Sequence, residues 1–195
     1  MKKPETMGIL NRIFGKNKTA AKPSLKYDDK SNLDEPYGID KDRAHQRAIQ
    51  LIPEEFFWSN FDELAPFGSD EGDMALAEFR EWRTRNPKSE TLDFLRLTIE
   101  NLTDKGLSDY NQKVLDESSV SPQEDLHQIF IVDTSVIATG FAQLVDEGKI
   151  DNKNKPIVEL ALKRQKLYAT KFYEWQNTDE YLKNLVVLER VLKEA

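Results

Sequence analysis

The chain has 195 residues, no cysteine, two histidines and a formal net charge of −7, and this length predicts one domain with a substantial core. The missing cysteines exclude disulfides, thiolate zinc sites, iron–sulfur clusters and cysteine nucleophiles. Only His45 and His127 are present, too few for a histidine-rich metal site. Because 10% of the residues are aromatic, the composition is that of a folded chain.

Charge is unevenly distributed along the sequence. Residues 1–26 carry seven Lys/Arg and one Glu, whereas the remainder carries 21 Lys/Arg and 34 Asp/Glu. An acidic body repels phosphate backbones, so we expect no nucleic-acid binding by the folded part. No apolar stretch approaches the ~20 residues of a membrane span, and the short N-terminal apolar run does not match a signal peptide. We therefore expect a cytoplasmic protein without stable membrane association.

Residues 1–35 are predicted to be a flexible basic tail and linker, and residues 36–195 a helical domain. The linker composition is polar, holds two prolines and lacks periodicity. One turn near the start has apolar residues at helical spacing with bases around them. We interpret it as a frayed helix, with a weak contact to an acidic membrane or a partner groove as the alternative. The apolar residues are Ile9, Leu10, Ile13 and Phe14, and the bases are Arg12, Lys16 and Lys18.

Residues 39–51 are predicted to form a short helix that Pro53 ends. Five aromatic residues follow within a dozen positions. We interpret them as core residues under a loop, and an exposed aromatic binding patch is the alternative. The five are Phe56, Phe57, Trp58, Phe61 and Phe67.

Two helices are predicted next. Ser69 or Asp70 caps the first, with acidic residues at the favourable pole of the helix dipole. Ser89 caps the second, which ends at Lys105 and Gly106. The apolar stripe of the second helix has spacings of three, four and three and consists of Leu92, Leu95, Ile99 and Leu102.

The second half of the chain also has helical patterns. A short helix is predicted over residues 108–116, and Ser121, Pro122 and Glu124 match a capping box at the start of a longer helix. Within that helix, residues 129–132 could also form a buried strand, since short apolar runs are ambiguous. We favour helix, with an interruption near residues 133–135 and an end at Gly148.

The last two helices complete the fold class. Pro156 stands at the first position of one, and Thr178 and Asp179 cap the other. No solenoid repeat and no hairpin signal occur in the sequence. The sequence therefore predicts an all-α domain of six or seven helices.

An acidic segment is the main candidate for function. Residues 53–80 hold eight acids and one base, Arg80. Such a face is often only solvated, but it also suits a basic protein partner. With Asp70 and Asp73 partly used as helix caps, the freer charges are expected to be Glu54, Glu55, Asp62, Glu63 and Glu71. The candidate binding residues are Glu54, Glu55, Asp62, Glu63, Asp70, Glu71 and Asp73.

Signatures of common enzymes are missing from the sequence. None of the eight glycines forms a dinucleotide-binding or Walker pattern, and nucleophile-elbow and zinc-deaminase patterns do not occur either. His45 is expected to be exposed and His127 half-buried. We assign no catalytic residue, no metal ligand and no cofactor.

Two stretches carry a family resemblance. FWSNFDELAPFGSDEGDMALAEFREWR (residues 57–83) and IATGFAQLVDEGKID (residues 137–151) resemble the uncharacterised bacterial YfeS-like family. With the region between them, the resemblance covers about residues 57–165. That family has no established activity or catalytic residues, so the resemblance implies a bacterial cytoplasmic protein and says nothing of mechanism.

Two hypotheses follow from the sequence. The first is a non-enzymatic interaction protein whose acidic face binds a basic partner; immunity proteins that neutralise a toxin are an analogy only. The second is a carboxylate-based, metal-dependent enzyme built around Asp70, Glu71 and Asp73. An interaction protein should present an acidic surface, and an enzyme should present convergent acids in a cleft with a perturbed pKa.

Overall fold

Helices make up the regular secondary structure of the described chain. The computed structural model describes residues 38–116, 126–171 and 176–195, and no β-strand occurs in these ranges. The predicted all-α fold is therefore confirmed for these residues. The α-helices are α1 (Gln46–Leu51), α2 (Asp70–Arg85), α3 (Thr91–Leu102), α4 (Leu126–Glu147), α5 (Lys155–Lys171) and α6 (Thr178–Glu194). Short 3-10 helices cover Lys41–Arg43, Glu55–Trp58, Leu107–Asp109 and Gln112–Leu115.

Helix α4 lies at the centre of the fold. Every residue from 132 to 145 is buried, because α4 packs against α1, α2, α3 and α5 while α6 packs on α5. A helix that is buried all round is typical of the middle of a helical domain. Residues 129–132 are helical, as favoured, but the predicted interruption at residues 133–135 is wrong. Asp133 pairs with Arg164 in the core and does not cap a second helix.

Helix α4 also has the length and composition of a membrane-crossing helix, contrary to the expectation that no stretch of the sequence approaches a membrane span. Of its most apolar window, 83% is buried inside the protein. The central helix of a folded core passes the same length and hydropathy test. The burial of α4 against four other helices accounts for its apolar composition.

The aromatic-rich segment contributes mainly to the core. Phe57 and Phe67 are fully buried, with their ring centroids 5.5 Å apart. Trp58 is buried and Phe56 packs half-buried against the same cluster. Phe61 is the exception, since 92% of its surface is exposed. The core interpretation is confirmed for four of the five residues and wrong for Phe61.

Helix α2 begins as predicted, and α3 does not. Ser69 Oγ accepts a hydrogen bond from the backbone N–H of Gly72 at 3.2 Å, which makes Ser69 the cap of α2. The residue before α3 is Glu90 rather than Ser89, and its side chain makes no capping hydrogen bond. The capping prediction for Ser89 is wrong by one position because the carbonyl of Ser89 is bound by Arg83 and the chain turns into the helix only afterwards.

Helix α3 ends earlier than predicted. It stops at Leu102 rather than at Gly106, because Thr103 has extended backbone angles (φ −135°, ψ 163°). The Thr103 hydroxyl donates to the carbonyl of Ile99 at 2.7 Å, which satisfies a carbonyl of the last turn. The predicted helix over residues 108–116 is two 3-10 helices separated by Tyr110 and Asn111.

The other helix ends are close to their predicted positions. Gly148, which follows α4, has a φ of +73°, the left-handed conformation that glycine adopts without strain at a helix end. Pro156 is the second residue of α5 rather than the first. Helix α6 is preceded by Asn177, without a side-chain cap, so the predicted capping by Thr178 and Asp179 is wrong.

The segment predicted as one helix over residues 39–51 is divided in two. A 3-10 turn, Lys41–Arg43, precedes α1. His45, exposed as predicted, separates them and caps α1, because its Nδ1 accepts from the backbone N–H of Arg47 at 3.1 Å. His127 is exposed rather than half-buried, since it lies in the first turn of α4.

Some predictions fall outside the described residues. The capping box at Ser121, Pro122 and Glu124 is one of them, and the division into residues 1–35 and 36–195 is another. Both stay predictions.

Candidate functional site

Residues 59–69, which we call the acidic loop, precede α2 and are held by local hydrogen bonds. Ser59 Oγ accepts from the backbone N–H groups of Phe61 and Asp62 at 3.2 and 3.0 Å. Asp62 Oδ1 accepts from the N–H of Leu64 at 2.9 Å. A Cβ at Gly68 would collide with the backbone carbonyl of Asp62, so glycine lets the end of the loop close on its beginning. This loop fixes the positions of the acids and of Phe61.

The loop forms one wall of a cleft, which we call the acidic cleft. Its volume is about 560 Å³, within the range of ~300–1,000 Å³ that is typical of ligand sites. Three carboxylates, Glu63, Asp70 and Glu71, line it, and none of them forms an ion pair with a described residue. Among the described residues its lining is Glu63, Leu64, Gly68, Ser69, Asp70, Glu71, Phe130, Gln176 and Asn177.

Two apolar side chains also line the acidic cleft. Leu64 and Phe130 line both the cleft and a smaller cavity of about 20 Å³. The smaller cavity is bounded by Ile137 of α4 and by Leu185 and Leu188 of α6. The cleft therefore combines negative charge with apolar surface, a combination that suits a basic and partly apolar ligand.

Two of the predicted acids are used elsewhere. Glu54 Oε1 lies 2.9 Å from Nη2 of Arg190 in α6, and Glu55 Oε1 lies 2.7 Å from Nζ of Lys41. Both pairs are partly or largely exposed and contribute little to stability, but they lower the negative charge that these residues present. The expectation that Glu54 and Glu55 are freer charges is therefore wrong.

Asp73 is also separate from the acidic cleft. Its carboxylate lies beside Gly38. Burial raises the pKa of Asp73 above its usual value; Arg80 opposes this effect and Asp70 adds to it. Arg80 itself binds Asp146 with Nε and Nη2, at 3.0 and 2.9 Å, and donates to the carbonyl of Gly38 at 3.2 Å. These contacts attach the start of the described chain to α2 and α4.

The three acids of the enzyme hypothesis do not converge. Asp70 and Glu71 line the acidic cleft and Asp73 does not. Among the residues that the structure describes, no group of three or more His, Asp or Glu side chains is arranged to hold a metal ion. The cleft therefore offers no described donor set from which a metal-dependent reaction can be derived.

A buried ionic cluster is a feature that the sequence analysis missed. Arg164 of α5 donates to both carboxylate oxygens of Asp133, and Tyr110 donates its hydroxyl hydrogen to the same carboxylate. Burial and the Asp133 charge raise the pKa of Tyr110 well above its usual value. Asp133 is fully buried, so this cluster binds the helices together and offers nothing to a ligand from solvent. An acid in the middle of an apolar helix was its only sequence signal.

A second missed network organises the turn between α4 and α5. Gln143 is fully buried and its Oε1 accepts from the N–H of Asp151 and from Nδ2 of Asn154, at 3.0 and 3.1 Å. Its Nε2 donates to Asp151 Oδ2 at 2.8 Å and to Glu147 Oε2 at 3.1 Å. All four residues belong to residues 143–154, so this network is a structural device of the turn.

The fold and the cleft together define a class: an all-α protein with a cleft that three carboxylates and the apolar residues Leu64 and Phe130 line. Among curated proteins, the chain is similar to the uncharacterized protein YfeS of Escherichia coli (strain K12). The two are 28% identical over 149 residues, which cover 73% of this chain and 58% of that protein. The resemblance to the YfeS-like family is thus confirmed, and this chain spans 58% of the length of that relative. No family model matches the chain, and no solved structure matches it.

Proposed function

We propose that this chain is a non-enzymatic interaction protein and that its acidic cleft binds a basic segment of a partner protein. One observation carries the proposal. Glu63, Asp70 and Glu71 converge on one cleft without an ion pair among the described residues, while Glu54 and Glu55 are paired. Carboxylates without an ion pair among the described residues are available to an external cation.

The apolar lining residues make the proposed partner more specific. Leu64 and Phe130 line the cleft together with the carboxylates, so a Lys or Arg with an apolar neighbour fits better than a highly charged polymer. Apolar contact supplies affinity, whereas charge speeds association and selects the partner. In this proposal the protein acts in the cytoplasm and does not bind nucleic acid, because its acidic charge repels phosphates.

Phe61 is the proposed anchor at the edge of this surface. It is 92% exposed, two residues before Glu63, on a loop that Ser59 and Asp62 hold in place. Aromatic side chains presented on an ordered backbone are frequent hot spots of protein interfaces. A partner with an apolar pocket next to its basic residues would bury Phe61 and neutralise the cleft together.

The test compares two charge-reversed baits with the wild type in a pull-down from host cells. Glu63→Lys/Glu71→Lys reverses two charges of the cleft. Glu100→Lys/Asp104→Lys makes the same change in net charge at exposed positions outside the cleft lining. We expect the wild type and the second bait to retain one basic protein that the first bait loses. The association rate of that purified protein should fall as salt rises.

Two results would contradict the proposal. The first is equal recovery of the basic protein with both charge-reversed baits. The second is a rise in the melting temperature with millimolar magnesium that disappears in Asp70→Asn, because a ligand that binds only the folded state stabilises it. That second result would favour the enzyme hypothesis. Without metal, both charge-reversed baits should retain the wild-type melting temperature, since the side chains that they change form no ion pair with a described residue.

A further inference from the structure

The chain itself contains a segment whose chemistry matches the acidic cleft. We propose that residues 7–18, MGILNRIFGKNK, dock in the acidic cleft of the same molecule and compete there with the basic partner. This inference rests on the proposed function, because it adds regulation to the same site. We call residues 7–18 the basic segment.

Charge complementarity is the first argument. The basic segment has three bases, Arg12, Lys16 and Lys18, and no acid. The cleft has three acids without a described ion pair. Opposite charges at a protein surface attract each other, and salt screens this attraction. The rest of the surface offers fewer such places, since many described acids outside the cleft already pair with a base, as Asp146 does with Arg80.

Apolar complementarity is the second argument. Ile9, Leu10, Ile13 and Phe14 have the spacing of one side of a helical turn. Leu64 and Phe130 line the cleft together with the carboxylates. A volume of about 560 Å³ has room for a few such side chains but not for a folded domain. The segment therefore combines apolar residues with bases, and the cleft combines apolar residues with acids.

The point at which the described chain begins is the third argument. Gly38 accepts a hydrogen bond from Arg80 of α2, and Ile39 exchanges hydrogen bonds with the side chain of Asn60 in the acidic loop. Gly38 also lies beside Asp73, which follows Asp70 by three positions, or about 4.5 Å along the helix axis. The described chain therefore begins close to the cleft.

The length of the connection permits docking within one molecule. The 19 residues from 19 to 37 reach at most ~60 Å when extended, several times the distance of one helical turn. A tethered ligand of this kind has an effective concentration of roughly millimolar, so even weak contacts occupy the cleft. A partner must then displace the segment. The partner's apparent affinity for the cleft equals its intrinsic affinity multiplied by the fraction of molecules in which the cleft is free.

The test uses the full chain and takes advantage of its lack of cysteine. A nitroxide on Asn17→Cys, which keeps all three bases, is attached to the ¹⁵N-labelled protein. We expect the label to broaden the backbone amide signals of Leu64, Asp70 and Glu71 and not that of Lys193, which is near the end of α6. The broadening should decrease at high salt and disappear in Glu63→Lys/Glu71→Lys. It should persist in the matched control Glu100→Lys/Asp104→Lys.

The outcomes separate this inference from the proposed function. Unbroadened cleft signals, together with a pull-down that still depends on Glu63 and Glu71, overturn the inference and leave the proposed function standing. In a mixed sample, one chain is ¹⁴N and carries the nitroxide, and the other is ¹⁵N and has no nitroxide. Broadening that arises only between these two chains assigns the segment to the cleft of a second copy and overturns docking within one molecule. Arg12→Glu/Lys16→Glu should abolish the broadening and increase recovery of the basic partner; unchanged recovery would overturn the competition.

Discussion

Arg164 forms a bidentate ion pair with the carboxylate of Asp133 in the middle of the helical core. Its Nε lies 2.8 Å from Oδ2 and its Nη2 lies 2.6 Å from Oδ1. Tyr110 completes the arrangement, because its hydroxyl donates to Asp133 and its ring lies 5.1 Å from the Arg164 guanidinium. The three residues come from the 103–116 segment, α4 and α5. This cluster of three residues therefore joins three parts of the fold that are far apart in sequence.

Replacing Arg164 with Met should destabilise the protein strongly. The change leaves the Asp133 carboxylate buried without its cation, and breaking a buried pair in this way typically costs about 3–5 kcal/mol. Lys163→Met is the control, since Lys163 pairs with Glu159 at the surface of the same helix and should cost under ~1 kcal/mol. Urea denaturation measures both. The double variant Asp133→Leu/Arg164→Met should lose less unfolding free energy than Arg164→Met alone. A larger loss in the double variant would contradict this account.

The stability that Arg164→Met loses relative to wild type should also depend on pH. Burial raises the pKa of Asp133 in the folded protein, and the Arg164 charge is the largest opposing effect. Without Arg164 the folded-state pKa rises further, so the folded variant takes up a proton at a higher pH than the unfolded chain. Its stability relative to wild type should then recover as pH falls from 7 toward about 4, the ordinary aspartate pKa. A deficit that is constant over this range would show that Asp133 stays ionised.

The sequence was sufficient for the fold class and for most helices, because those depend on local patterns. Ser69 caps α2 as predicted, and Gly148 ends α4. The interruption predicted at residues 133–135 failed because a local pattern cannot show that Asp133 has a partner 31 positions away. Likewise, Ser89 is as good a cap residue as Ser69 by type, and only the path of the chain decides between positions 89 and 90.

The acidic segment was predictable, but the acidic cleft was not. Composition identified the acids between residues 53 and 80. Which of them are free depends on contacts such as that between Glu54 and Arg190, 136 positions apart. The cleft also needs Phe130 of α4 and Asn177 before α6, and no spacing rule brings those residues to Glu63. Phe61 was likewise indistinguishable from its buried aromatic neighbours by residue type alone.

Ser69 and Ser89 provide a matched test of helix capping. Ser69→Ala removes the acceptor of the Gly72 N–H and should cost about 1 kcal/mol. Ser89→Ala should change the unfolding free energy by less than ~0.5 kcal/mol, because Glu90 and not Ser89 stands at the cap position of α3. Thermal or urea denaturation of the two variants decides the matter. Equal losses would mean that the serine hydroxyls do not differ in role.

Gln143→Met should weaken the turn between α4 and α5. The substitution keeps the side chain's approximate size but leaves the N–H of Asp151 and the amide of Asn154 without their acceptor. Unsatisfied buried groups cost about 1–3 kcal/mol each, so we expect a loss of that order or more in urea denaturation. Gln128→Met removes one exposed hydrogen bond from the same helix and serves as the control, with a loss under ~1 kcal/mol.

The Gln143 variant should also change the response to acid. Although burial raises the pKa of Asp151, hydrogen bonds from Lys149 and Gln143 outweigh it and hold the pKa below the usual value. A lowered folded-state pKa contributes stability above the unfolded pKa, and that contribution disappears as pH falls through the folded value. The advantage of wild type over Gln143→Met should therefore shrink in acid. An advantage that grows as pH falls would contradict the role of the Gln143 hydrogen bond.

Phe61 and Phe57 allow interface and core roles to be separated within one segment. Phe57 is fully buried and Phe61 is 92% exposed. Phe57→Ala should cost about 3–5 kcal/mol of stability, because it leaves a cavity in the core. Phe61→Ala should leave the unfolding free energy within ~0.5 kcal/mol of wild type, since the exposed ring has little packing to lose.

If Phe61 is an interface anchor, Phe61→Ala should nevertheless weaken the binding of the purified basic partner by about 2 kcal/mol. This loss corresponds to roughly a 30-fold rise in Kd. Isothermal titration at fixed salt measures that change. A Phe61→Ala variant with wild-type stability and wild-type affinity would remove Phe61 from the proposed interface, while the charge-reversed variants would still test the acidic cleft independently.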